Sequence, residues 1–129
     1  MNIGKLAALR FVVVIGVGVG LVVGCGAAVC SGDACDCPAN ETCDFGSHSS
    51  AARFNCAAGS TCTGSGGAGT NVVCGGVSCT MNVGAGSNVT CASGTCNLTC
   101  QGQCTVACTG GTCNLTCGGG TTRGATGCQ

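Results

Sequence analysis

From Thr95 to Cys117 the chain alternates between apolar and polar positions. Cys96, Leu98 and Cys100 alternate with Thr95, Asn97 and Thr99, and Cys113, Leu115 and Cys117 alternate with Thr112, Asn114 and Thr116. A period of two over such short stretches, bounded by Ser93-Gly94, Gln101-Gly102 and Gly110-Gly111, predicts β-strands between glycine corners. A helix is a poor account, because runs of Thr, Val, Asn and Gly disfavour it.

The strands recur. Cys74, Cys91 and Cys108 fall 17 residues apart, as do Cys79, Cys96 and Cys113. Val72, Val89 and Val106 keep the same interval, and so do Met81, Leu98 and Leu115. With one extra corner residue the register extends back through Phe54, Cys56 and Cys62, then through Cys35, Cys37, Cys43 and Phe45. Each unit reads apolar, spacer, Cys, a corner, Cys, spacer, apolar; in one unit Gly64 takes the last apolar place. Two short strands per unit, stacked unit on unit, predict an all-β fold: a small disulfide-rich β-solenoid of about five 17–19-residue coils over residues 35–129.

Composition says what must hold such a fold together. Among 129 residues there are 17 cysteines and 26 glycines, three phenylalanines and no tryptophan or tyrosine. So few large side chains bury too little apolar area to offset chain entropy unaided, and the cysteines are left to cross-link the coils. Charged residues make up 6% of the chain and form no basic run, which excludes a nucleic-acid-binding surface.

The first residues set the compartment. Lys5 and Arg10 precede the apolar and glycine run from Phe11 to Val23, the layout of an export signal. The run ends in Val22-Val23-Gly24-Cys25, which resembles the lipobox of bacterial lipoproteins. The resemblance implies a signal peptide over 1–24, cleavage after Gly24, and acyl chains (palmitate among them) carried on Cys25. It also implies a lipid-anchored linker over 25–34 and a place in the bacterial cell envelope with the membrane as partner. Gly26, where the sorting rule of enteric bacteria has Asp for retention, is compatible with the outer membrane. Two alternatives stay open: an uncleaved anchor over Phe11 to Val29, and an ordinary signal with Cys25 in the disulfide framework. Setting Cys25 aside leaves an even number of cysteines, which favours the lipobox. Past the signal, Arg53 and Arg123 stand against Asp33, Asp36, Glu41 and Asp44, a net charge of about −2.

Cysteine spacing favours disulfides over metal. No Cys-x-x-Cys occurs, and Cys35 and Cys37 are the one Cys-x-Cys pair, so no metal and no cofactor are expected. Cysteines four apart on a strand, such as Cys96 and Cys100, stand roughly 13 Å apart and cannot bond. Cysteines on either side of a glycine corner can. The expected pairs are Cys37–Cys43, Cys56–Cys62, Cys74–Cys79, Cys91–Cys96 and Cys108–Cys113, with Cys100–Cys104, Cys117–Cys128 and Cys30–Cys35 at other corners and ends. Pairing between stacked coils, about 4.8 Å apart, is the rival.

No catalytic constellation is expected, and the protein reads as non-enzymatic. His48 lies in a Ser-rich loop with Asp44 as its nearest acid in sequence, and reads as solvated. The outward positions form a column of small polar residues: Thr61, Thr63, Ser78, Thr80, Thr95, Asn97, Thr99, Thr112, Asn114 and Thr116. Thr61-Cys62-Thr63 resembles the Thr-Cys-Thr units of insect ice-binding solenoids, although those repeats are shorter and keep Thr where Asn97 and Asn114 stand here. The repeats as a whole resemble the cysteine-rich repeats of bacterial lipoproteins. Taken together, the expectation is an anchored structural, adhesive or surface-interaction protein. An ice- or carbohydrate-binding Thr/Asn face is the first alternative, and metal or thiol buffering the second.

Overall fold

In-register stacking of short strands builds the whole molecule. The computed structural model describes residues 29–129; the signal segment 1–24 and Cys25 lie outside the described residues. There the chain forms thirteen strands and no helix: β1 (Val29–Ser31), β2 (Ala34–Cys37), β3 (Thr42–Ser47), β4 (Arg53–Cys56), β5 (Thr61–Gly66), β6 (Asn71–Cys74), β7 (Ser78–Val83), β8 (Ser87–Cys91), β9 (Thr95–Cys100), β10 (Cys104–Cys108), β11 (Thr112–Cys117), β12 (Arg123–Gly124) and β13 (Gly127–Cys128). The chain is a β-solenoid of five coils. Even-numbered strands β2 to β10 run parallel in one sheet, and odd-numbered strands β3 to β11 run parallel in the other.

The sequence repeat is the structural register. Phe54 pairs with Val72, Val72 with Val89, and Val89 with Val106, so one apolar column runs up the first sheet. Met81, Leu98 and Leu115 form the matching column in the second. Phe54, Val72, Val89, Met81 and Leu98 are buried, with the cysteines filling the rest of the thin interior. Small sulfur-bearing side chains suit a space between two sheets that stack like with like.

Gly64 has a reason to lack a side chain. It pairs with Met81 in the column, and a Cβ there would lie 2.9 Å from Cβ of Phe45. The Phe45 ring, stacked on Phe54 with centroids 4.9 Å apart, fills the volume that Gly64 leaves. At the corners the demand is conformational. Gly94 turns the chain between β8 and β9 with φ of +64°, and a Cβ would run into the Val77 carbonyl of the coil below.

A second device at the corners has no counterpart in the sequence reading. Ser60, Thr70 and Ser87 are buried although polar. The Thr70 hydroxyl donates to the Gly67 carbonyl at 2.8 Å and accepts the Ala52 N–H at 3.2 Å. The Ser87 hydroxyl donates to the Gly84 carbonyl at 2.7 Å and accepts the Thr70 N–H at 3.1 Å. Each hydroxyl thus closes its own corner and ties it to the coil below. In the next coil Cys104 takes the place of Ser87 and donates to the same Gly84 carbonyl at 3.6 Å.

Antiparallel strands close both ends of the first sheet. β1 pairs with β2, so ordered sheet begins inside the stretch expected to be linker. At the far end the β12–β13 hairpin pairs with β10, and Cys117–Cys128 ties it to β11. The tail after Cys117 caps the end of the first sheet. In the second sheet β3 and β11 are terminal strands. Among the described residues no helix is long and apolar enough to cross a membrane.

Candidate functional site

The polar residues singled out in the sequence share one face of the β3–β11 sheet. One column runs Thr42, Thr61, Ser78, Thr95, Thr112; the next runs Asp44, Thr63, Thr80, Asn97, Asn114; the third runs Ser47, Ser65, Asn82, Thr99, Thr116. All ten expected face residues are in this array, and Thr42, Asp44, Ser47, Ser65 and Asn82 complete it. The opposite sheet shows no such uniformity: outward columns there mix Ala34, Arg53, Asn71, Asn88 and Thr105, and Asp36, Asn55, Val73, Thr90 and Ala107.

Within the array, neighbours bond along the solenoid axis. Asn114 donates its amide to Asn97 at 2.9 Å, and at the array's edge the corner residue Gln101 donates to Asn82 at 3.2 Å. The face is not flat throughout. A shallow depression of about 350 Å³ opens where Gly46 and Gly64 carry no side chain, lined also by Asp44, Thr63, Thr80 and Asn82.

Six of the eight expected disulfides are present: Cys30–Cys35, Cys37–Cys43, Cys56–Cys62, Cys91–Cys96, Cys108–Cys113 and Cys117–Cys128. All lie within a coil or at an end, not between coils. Two expected bonds are corrected. Cys74, Cys79, Cys100 and Cys104 are buried free thiols. The Cys74 thiol donates a hydrogen bond to Cys79, which together with burial holds Cys74 far above the ordinary thiol range and Cys79 below it. Cys100 is pushed up to about 12, first by burial and then by the bond to Cys104. The two pairs are thiol contacts, so sulfur proximity, which the spacing does predict, is satisfied without a covalent link.

Cys91, Cys96 and Cys113 gather within 4.8 Å, as do Cys30, Cys35 and His48. Every one of those cysteines is in a disulfide, which has no thiolate to offer an ion. Nothing in the chemistry of these groups as they stand suits a metal.

His48 is the largest correction. It is not a solvated loop residue; 15% of its side chain is exposed. Nδ1 lies 3.1 Å from Asp33 Oδ1, and Nε2 lies 3.1 Å from the Phe45 carbonyl oxygen and 3.7 Å from Cys35 Sγ. The ring packs edge-on against Phe54 at 5.3 Å. Its acid is therefore Asp33, not Asp44. Hydrogen bonds from His48 and then Ser50 hold the Asp33 carboxyl below its ordinary range. Asp44 instead accepts the Gly46 N–H at 2.9 Å.

Comparison with protein-family models, with curated proteins and with solved structures finds no match to this chain. The fold and these residues are the whole basis for a functional reading.

Proposed function

We propose that the protein is a lipid-anchored, non-catalytic module of the bacterial cell envelope that adheres through the polar face of its five-stranded sheet. One observation carries this reading. Every outward position in three columns of five is Thr, Ser, Asn or Asp, while the other sheet mixes polar with apolar residues. Such an array offers donors and acceptors at about 4.8 Å along the axis and about 6.6 Å along each strand, the kind of periodicity a polyhydroxyl chain can meet repeatedly. Many weak contacts in register suit adhesion better than capture of one small molecule. The anchor rests on the Val22-Val23-Gly24-Cys25 motif.

Columns of Thr also support a second reading, binding of ice. The Asn97–Asn114 amide contact and the depression at Gly46 and Gly64 interrupt a flat hydroxyl lattice and favour the glycan. Binding of the mature chain to purified envelope polysaccharide tests the proposal. Thr80→Tyr and Asn97→Tyr are expected to weaken retention at least tenfold, while Asn88→Tyr on the opposite sheet leaves it unchanged. Equal retention of all three variants overturns the adhesive reading, and thermal hysteresis without glycan retention replaces it with the second. Intact mass of the membrane-extracted protein tests acylation of Cys25.

A further inference from the structure

Cys30–Cys35 differs from the other bridges in its surroundings. It joins directly opposed residues of the antiparallel β1–β2 pair. Cys30 is exposed, whereas Cys35 is 1% exposed and lies 3.7 Å from Nε2 of His48. Both ring nitrogens of His48 face oxygen acceptors, Asp33 on one side and the Phe45 carbonyl on the other. The bridge therefore has one sulfur open to attack and the other, buried, beside the His48 ring.

We infer that Cys30–Cys35 is the thiol-exchange site of this molecule, with Cys30 as the attacked sulfur, Cys35 as the leaving group and a dithiol as the electron donor. A donor thiolate attacks Cys30 Sγ. The Cys30–Cys35 bond breaks, its electron pair leaves on Cys35, and a mixed disulfide forms between the donor and Cys30. The donor's second thiolate then attacks its own sulfur in that mixed disulfide and releases Cys30. The donor ends as a disulfide, and Cys30 and Cys35 end as thiols once protonated from water. His48 is a positioning residue: its Nε2, 3.7 Å from Cys35 Sγ, is placed to hydrogen-bond the sulfur that leaves, and leaving groups so stabilised depart faster. Asp33 holds the ring in place. Opening the bond removes the side-chain cross-link between β1 and β2 and leaves β1 held by the backbone turn at Gly32 and Asp33 and by strand pairing alone.

Cys108–Cys113 supplies an internal comparison, since Cys108 is also exposed. The chain's single histidine stands at the opposite end of the solenoid. The test treats the folded, oxidised protein with limiting dithiothreitol, quenches with acid and maps each bridge by mass spectrometry. Cys30–Cys35 is expected to open at least tenfold faster than Cys108–Cys113. His48→Gln is expected to slow Cys30–Cys35 severalfold and leave Cys108–Cys113 unchanged. A second measurement needs no variant: glutathione, a monothiol, is expected to leave its adduct on Cys30 and the free thiol on Cys35. Equal rates at the two bridges, an unaltered rate ratio in His48→Gln, or an adduct on Cys35 each overturns the inference. If His48→Gln unfolds and all bridges open together, the adduct position decides alone.

Discussion

Thr70 donates its backbone N–H to the Ser87 hydroxyl at 3.1 Å, linking the corners of successive coils through a side chain buried from water. The same hydroxyl donates to the Gly84 carbonyl at 2.7 Å. Ser87→Ala therefore leaves a buried N–H without its acceptor and removes one bond to a carbonyl. An unmet buried group of this kind costs about 1–3 kcal/mol. Chemical denaturation is expected to show a loss of that size for Ser87→Ala, and a smaller one for Ser87→Thr, which keeps the oxygen. No difference between the two variants would mean that the hydroxyl holds nothing.

Gly64 and Phe45 share one volume. Gly64→Ala places a Cβ 2.9 Å from the Phe45 Cβ and is expected to destabilise the protein by about 1–3 kcal/mol, the usual range for overpacking a filled core. Shrinking the neighbour should relieve it. In a double-mutant cycle with Phe45→Gly, which removes the contacting Cβ, the penalty of Gly64→Ala is expected to fall by half or more. An additive cycle would show the crowding to lie elsewhere.

The four free thiols are shielded by the fold. At pH 8, iodoacetamide is expected to leave Cys74, Cys79, Cys100 and Cys104 unmodified in the native protein and to label all four once guanidinium unfolds it. Burial and thiol-to-thiol hydrogen bonds both withhold thiolate from Cys74 and Cys100. Finding disulfides at Cys74–Cys79 and Cys100–Cys104 in the unfolded, alkylated chain would restore the pairing that spacing alone suggests.

Acid should loosen the β1 end before the coils. The Asp33 carboxyl is held below its ordinary value of 3.8 by bonds from His48 and Ser50. Its folded value lies below its unfolded one, so its contribution is complete above 3.8 and is lost as pH falls through the folded value. Amide protection factors at residues 29–35 are expected to fall below that point while those across β9 do not change. In Asp33→Asn the acid-dependent step should vanish. Because Asp33 is exposed, the effect is local and small.

The coils are legible in the sequence because their stacking forces like residues into register. A column such as Val72, Val89, Val106 is read as easily from 17-residue spacing as from coordinates. The polar face follows from the same alternation. Other features depend on neighbours that spacing does not carry. Thr70 and Ser87 look like solvent-facing corner residues until the coil below offers an N–H for each hydroxyl. Asp33 and His48 are 15 residues apart and meet where the residue entering β2 lies against the corner that leads into β4, a contact between corners that the repeat interval does not encode. Cys74 and Cys79 have the same five-residue separation as Cys91 and Cys96, so spacing alone does not distinguish a thiol contact from a bond.

Strands β9 and β11 carry the same six residues, Thr-Cys-Asn-Leu-Thr-Cys, and lie one upon the other in register. Each therefore accepts its own copy as neighbour. A duplicated 17-residue segment inserted between them would meet on both sides the surface it already fits, and the cap would simply move outward by one strand spacing. Length in this protein is an adjustable quantity: the distance from β1 to the cap, and the extent of the polar face between them, can change by whole coils without any new solution to packing.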